Sequence, residues 1–245
     1  MKNAVVNILA FLLLGGVLVS FTFSSFTIME TTPKKKMPSL ISPELEQKVQ
    51  GLISRSKEIP ADRKATLKDL AEAIQKQKQN KGKVQLIFIC THNSRRSHFS
   101  QIWGQIGAYV YGIDQNWFTF SGGTEATAFH PNAVAAVKVA GIEVQNPGGV
   151  NPHYALRFSS ERPAMPCFSK RYDDSTFNPA KDFIAVMTCS HADANCPIVF
   201  GADARISLPY EDPKVSDGTG TEAKVYAERF DEIGIELLYL MSLLD

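Results

Sequence analysis

The sequence predicts an α/β domain: a parallel sheet with helices on both faces. Short apolar runs alternate with stretches of helical periodicity from Val84 to Leu244, which is the pattern of strand and crossover-helix units. Cys90 and Cys189 each follow directly on such a run. In open parallel sheets, ligands bind at the carboxyl ends of the strands.

Each element has its own local reason. Ser42-Pro43-Glu44 reads as a helix start, with proline at the first helical position and an acid in the first turn. Leu45, Val49, Leu52 and Ile53 give that helix an apolar stripe, and Pro60 ends it. A second helix spans Ala61 to about Lys76, with Leu67, Leu70, Ala71 and Ile74 on one face, then a polar linker from Gln77 to Lys83. The two helices are expected to pack as a hairpin and to play a structural part. Val84 to Ile89 is a buried strand, and Phe99, Ile102, Trp103 and Ile106 fall at helical spacing between Ser97 and Val110. Trp117 to Ser121 forms the next strand. A helix over Pro131–Ala140 follows, carrying Val134, Val137 and Val139 and stopped by Gly141.

From Gln145 to Lys181 the chain is rich in Pro, Asn, Ser and Arg and is too long for a simple connection. It reads as a partly ordered excursion with the character of a lid. Phe183 to Met187 and Arg205 to Leu208 are further strands, and Thr221 to Leu244 is a closing amphipathic helix.

The N-terminus differs in kind. No charged residue occurs between Ala4 and Met29, and Ile8 to Val19 is strongly apolar, which approaches membrane-spanning length. Lys34, Lys35 and Lys36 outweigh Lys2, and positive-inside reasoning then favours an inner-membrane anchor with the catalytic domain in the cytoplasm. The alternative is a signal that is cleaved, with export to the periplasm. The expected organisation is an anchor or signal segment with a basic linker over 1–36, a helical extension over 37–82 and a catalytic domain over 83–245. A net charge of +1 with interspersed signs gives no broad basic face, which argues against a nucleic-acid partner.

Four cysteines in 245 residues are too few for a disulfide scaffold. Neither they nor the five histidines have zinc-ligand spacing, so no metal site is expected. Reactive thiols are the better reading. In Cys90-Thr91-His92-Asn93-Ser94-Arg95-Arg96-Ser97 a loop joins a strand to a helix. Its backbone N–H groups and the helix start can converge on an anion, and Arg96 adds a planar fork of donors for tetrahedral oxygens. Ser97 can hydrogen-bond a Cys90 thiolate, and Asn93 can brace the loop through its side-chain amide. Cys167 is read as a spare, partly buried thiol.

The loop resembles the phosphate-binding loop of the low-molecular-weight protein tyrosine phosphatase superfamily. Thr188-Cys189-Ser190-His191-Ala192-Asp193-Ala194-Asn195-Cys196-Pro197-Ile198 is similar to the redox segment of its thioredoxin-coupled arsenate reductase branch. Glu211-Asp212-Pro213 and Ser121-Gly122-Gly123-Thr124-Glu125 resemble two further loops of that family. The resemblance implies a flavodoxin-like three-layer sandwich on a four-stranded parallel sheet, preceded here by the helical extension. It also implies roles. Cys90 would attack arsenic, aided by Arg96 and by Asp212 as general acid; Cys189 would attack Cys90 and release arsenite. Cys196 would then form a Cys189-Cys196 disulfide for thioredoxin to reduce. Thr91, His92, Asn93, Ser94, Arg95 and Ser97 would line the oxyanion loop, arsenate being the substrate and phosphate its competitor.

Departures from the family mark this chain. His92 stands where glycine is usual and is expected to change the backbone or narrow the mouth of the pocket. Arg95 replaces a small or thiol residue and is expected to add positive charge at the anion. Gln101 replaces a glutamate implicated in potassium binding, although Asn93 and Ser121 are retained, so the resemblance implies no bound organic cofactor and an auxiliary potassium ion at most. A phosphomonoester hydrolase that forms a cysteinyl-phosphate is the alternative enzyme, because it would use the same loop. A tethered oxyanion-binding or redox-sensing protein with little turnover is a third reading. If Cys189 to Cys196 is helical, its ends lie about 10.5 Å apart, beyond the roughly 7 Å that a disulfide spans. A mobile loop is therefore expected there.

Overall fold

The computed structural model describes residues 38–196 and 198–244. The expected anchor or signal and basic linker over 1–36 lie outside the described residues. Among the described residues no helix is long and apolar enough to cross a membrane.

Four strands form one parallel sheet: β1 (Val84–Cys90), β2 (Trp117–Gly123), β6 (Phe183–Met187) and β7 (Ala202–Ser207), in the order β2-β1-β6-β7. The two central strands, β1 and β6, are buried along their whole length, as continuous apolar runs covered on both faces require. Helices α3 (Arg96–Val110) and α6 (Glu222–Ser242) pack together around Trp103, Phe99 and Phe230. Helix α4 (Pro131–Val139) packs on α6. This is the expected α/β sandwich. Within α4, Val134 and Val137 are buried but Val139 is exposed, since two residues along a helix turn to nearly the opposite face.

The helical extension covers the domain. Helix α1 (Pro43–Ser54) packs chiefly on α6, and α2 (Ala61–Lys81) packs on both α6 and the sheet strands β7, β1 and β6. They are not a free-standing hairpin, and the described residues from Pro38 onward form one compact unit with no boundary at residue 83. Helix α2 also runs through most of the expected linker. Gln77 is buried there; its amide donates to Asp182 O and Asp203 and accepts from the Gln85 N–H, and Gly82, at φ +67°, ends the helix. Arg63 of α2 pairs with buried Glu236 at 2.5 Å, donates to Pro209 O and lies over the Tyr210 ring. The extension thus braces the segment that leads to Asp212.

The 145–181 excursion is not a lid. Its strands β4 (Tyr154–Arg157) and β5 (Met165–Cys167) join β3 (Glu143–Gln145) in an antiparallel sheet, with Tyr154, Leu156, Phe158 and Cys167 in the core. Beyond β5 the chain runs beside the end of β2: Gly123 N–H donates to Lys170 O, and Tyr172 N–H donates to Gly123 O.

Candidate active site

The site forms where β1 ends. The β1 carbonyl of Cys90 and the loop carbonyls of Thr91, His92 and Ser94 all bond to the surrounding scaffold, through Thr124 N–H, Glu125 N–H, the Thr127 and Ser169 hydroxyls and His130 N–H. In a trans peptide the following N–H points opposite to its carbonyl. The N–H groups of Thr91, His92, Asn93 and Arg95 are thereby turned away from the scaffold, toward the interior of the loop, where an anion needs donors. Asn93 carries the unusual backbone, at φ +45°, a region that asparagine tolerates better than most residues.

The Asn93 side chain ties this turn together. Its Nδ2 donates to Ser97 Oγ at 2.8 Å, and its Oδ1 accepts from Lys170 N–H at 2.9 Å. With Asn93 donating to it, Ser97 Oγ keeps its own proton for Cys90 Sγ, 3.1 Å away. Cys90 is buried, so this hydroxyl supplies the polar contact that a buried thiolate needs.

Arg96 begins α3 and points at Asp212. Its Nη1 donates to Tyr210 O at 2.9 Å and its Nη2 to Asp212 Oδ2 at 2.7 Å. Its buried Nε–H has no hydrogen-bond partner among the described residues, an uncommon condition that suits an arriving oxyanion. Asp212 also caps a 3₁₀ turn by accepting from Lys214 N–H.

Two expectations about the loop are corrected. His92 takes no left-handed backbone; its half-exposed side chain turns outward, 3.7 Å from Glu125. The Arg95 side chain is held by other partners, while its backbone N–H stays among the loop donors. Its Nε donates to Tyr226 OH at 2.7 Å, and its outer nitrogen pairs with Asp217 at 3.2 Å. Tyr226 also donates to Asp217, and His130 stacks on the Tyr226 ring. Burial works against the Asp217 charge, yet its bonds to Tyr226 and Asn132 and the nearby His130 and Arg95 hold it below the usual carboxylate range. The Arg95 charge is therefore spent on bolting the loop to α4 and α6.

At the end of β6, buried Cys189 begins α5 (Ser190–Asn195), a six-residue helix where a loop was expected. Cys189 and Cys90 belong to one buried cluster, with Cys196 partly buried at its edge. The helix is held by Asp193, which pairs with Arg205 at 2.5 Å and accepts from Ser207 at 2.7 Å. All four cysteines are free thiols. Cys167 is fully buried, and desolvation pushes its thiol up to about 12, which makes it inert.

The donor set does not fit a resident potassium ion. Asn93 Oδ1 already accepts from Lys170 N–H, and Ser121 Oγ is bonded to His98 Nδ1. The buried Lys170 ammonium, 4.6 Å from the Phe168 ring centre, already supplies a positive charge here. Burial and this charge together hold the His98 imidazole well below its ordinary pKa, and a second cation would meet the same repulsion. Melting temperatures in KCl and NaCl at equal ionic strength are accordingly expected to coincide. Burial brings Lys170 itself down to about 8. The unfolded chain binds this proton more tightly, so stability should rise with pH from about 8 to about 10.5; below pH 8 the site costs roughly 3 kcal/mol. Lys170→Met is expected to stabilise the fold by about 2 kcal/mol at pH 7 and to flatten that rise, measured by urea denaturation at pH 7 and pH 9.5.

Ser169, Lys170, Thr127, Tyr226 and Asp217 were not foreseen as parts of the site, because nothing local marks them. Glycine at 123 had a signal in Ser121-Gly122-Gly123. A Cβ there would lie 2.2 Å from Glu125 O and 2.7 Å from both Asn93 N and Thr91 O. Gly123→Ala is expected to destabilise the fold by about 3 kcal/mol through forced displacement of backbone, a loss that thermal denaturation would detect.

A parallel sheet that ends one central strand in a Cys-x5-Arg loop, with a second cysteine at the neighbouring strand end, defines an α/β protein whose candidate active site gathers two buried thiols beside an arginine. No family model matches the chain. An arsenate reductase of Brevibacillus brevis is 30% identical over 152 residues, 58% of this chain and 93% of the relative. One from Halalkalibacterium halodurans is 30% identical over 150 residues, 61% and 88% of the respective chains. Among solved structures, a low-molecular-weight protein tyrosine phosphatase from T. tengcongensis aligns with a TM-score of 0.42 at 17% identity, covering 66% of this chain and 99% of that one. An arsenate reductase in the phosphate-binding state aligns with a TM-score of 0.42 at 16% identity over the same shares. The chain belongs to the arsenate reductase family.

Proposed function

We propose that this protein reduces arsenate by a three-cysteine relay and is returned to the dithiol form by thioredoxin. The observation that carries the reading is the adjacency of two thiols. Cys189 Sγ lies 3.5 Å from the hydroxyl of Thr91, the residue that follows Cys90, and both cysteines are buried together. Hydrolysis of a phosphomonoester has no use for the second thiol.

Cys90 thiolate forms a bond to arsenic while Arg96 and the loop N–H groups hold the oxygens. Arg96 exchanges its Asp212 contact for the oxyanion, and Asp212 delivers the proton with which oxygen leaves as water. Cys189 thiolate then attacks Cys90 Sγ. The S–As bonding pair passes to arsenic, which leaves as arsenite, and a Cys90-Cys189 disulfide forms. Cys196 attacks Cys189 Sγ and frees the Cys90 thiolate. Two thiols are oxidised and arsenic gains two electrons.

The test measures arsenite formed with thioredoxin, thioredoxin reductase and NADPH, alongside hydrolysis of an aryl phosphate. Wild type is expected to form arsenite catalytically only with the reductant present and to stop after one equivalent without it, and Cys189→Ser to form none. Hydrolysis without arsenite in the wild type would establish the phosphatase instead. Arsenate binding with negligible arsenite release would indicate a sensor.

A further inference from the structure

Cys189 presents a chemical problem. It is 1% exposed, yet its role in the proposed relay needs a thiolate. Among the described residues, two polar groups touch the sulfur: the Ala192 N–H at 3.3 Å and Thr91 Oγ1 at 3.5 Å. An amide N–H can support a thiolate but cannot take its proton. Thr91 Oγ1 can pass one on, because it also lies 3.2 Å from His191 Nδ1. His191 is an exposed residue, so its ring exchanges protons with water.

We propose that Thr91 and His191 are positioning residues that form a proton relay for Cys189, a proposal that rests on the reductase reading above. The thiol proton passes to Thr91 Oγ1 as the Thr91 hydroxyl proton passes to His191 Nδ1. This leaves Cys189 as thiolate and His191 as imidazolium, with no other reactant. The hydrogen-bond chain survives in both states. Before transfer, S–H donates to the hydroxyl, which donates to neutral Nδ1; afterwards imidazolium donates to the hydroxyl, which donates to sulfur. Only the direction reverses.

Among the described residues, no neighbouring group offers the same service. On α5, Asp193 is committed to Arg205 and Ser207 of β7. Arg205 is a permanent cation that also donates to Cys196 O. Cys90 on β1 faces Ser97. The Tyr172 phenol, from the segment beside β2, is raised above its ordinary range by burial and by Cys196, so it does not titrate near neutral pH. His191 is the group in contact with Thr91 whose ring nitrogen can take up the proton.

The experiment uses the full chain with Cys90, Cys167 and Cys196 replaced by serine, so that Cys189 is the remaining thiol. Its thiolate is followed by ultraviolet absorbance from pH 5 to 10 and by the rate of iodoacetamide alkylation. His191→Gln and Thr91→Val are each expected to lower the thiolate fraction near pH 7 by about tenfold, and Thr91→Ser to restore it. The combined His191→Gln and Thr91→Val variant should lose no more than either alone. Independently of folding in those variants, the His191 ring titration in the otherwise unaltered protein should move to lower pH by about one unit in Cys189→Ser, because the coupling is mutual. An unchanged Cys189 titration in His191→Gln, or an unchanged His191 titration in Cys189→Ser, would overturn the relay. The coupling is read without arsenate. Its presence in a protein that forms no arsenite would support the relay and count against the reductase reading alone.

Discussion

Arg96→Lys is expected to lower kcat/KM for arsenate, and for any aryl phosphate the enzyme hydrolyses, by about a thousandfold, equivalent to about 4 kcal/mol of transition-state stabilisation. The reason is directional. Arg96 holds the Tyr210 carbonyl with one terminal nitrogen and Asp212 with the other, while its buried Nε–H remains unbonded. A planar guanidinium can keep the first of these anchors while turning two parallel N–H groups to an oxyanion. Lysine has one ammonium on a flexible stem and cannot maintain that division of labour. Because oxygen charge develops most as the bond to sulfur forms, the loss should fall mainly on kcat. Steady-state kinetics would check this, and a change confined to KM would mean that Arg96 merely binds.

The local parts of this site could be read from the residues, whereas its supports could not. Val84 to Ser97 is a strand, loop and helix in one continuous stretch, so apolar spacing and residue type define it without help from the rest of the chain. The support arrives from far away in sequence. Lys170 N–H reaches Asn93, Ser169 reaches the His92 carbonyl and Tyr226 captures Arg95, and none of these residues has a periodicity that marks its partner. Arg95 is instructive. Its charge suggested an anion ligand, but Asp217 and Tyr226 compete for the same guanidinium and hold it. The excursion misled for a related reason. Its Pro, Asn, Ser and Arg content suggested a lid, while Tyr154, Leu156 and Phe158 gain their burial from tertiary packing that composition does not encode.

Cys196→Ser is expected to release one equivalent of arsenite per enzyme and then stop. The Cys90-Cys189 disulfide would form as in the wild type, but no third thiol would be present to attack it, and a buried sulfur pair is poorly accessible to an external reductant. Rapid-quench measurement of arsenite should show a stoichiometric burst without a steady-state phase, and mass spectrometry should find the Cys90-Cys189 bond in the stalled protein. In the wild type the next step must reshape α5. As a helix, the segment separates Cys189 from Cys196 by about 10.5 Å, beyond the roughly 7 Å that a disulfide spans. The side-chain restraints to be broken are the buried Cys189 cap to Ala192 N–H, the Asn195 bond to His191 O, and the partly exposed contacts of Asp193 with Arg205 and Ser207 and of Arg205 with Cys196 O. Contacts of this kind are worth about 1 kcal/mol each, a small cost for a disulfide exchange that thioredoxin then draws forward by reducing its product. Arg205 deserves the second substitution because it holds both Asp193 and the Cys196 carbonyl. If unwinding limits resolution, Arg205→Gln should hasten the decay of the Cys90-Cys189 species in otherwise unaltered protein. Continued turnover in Cys196→Ser would instead mean that Cys189 is reduced directly, and that the helix need not open at all.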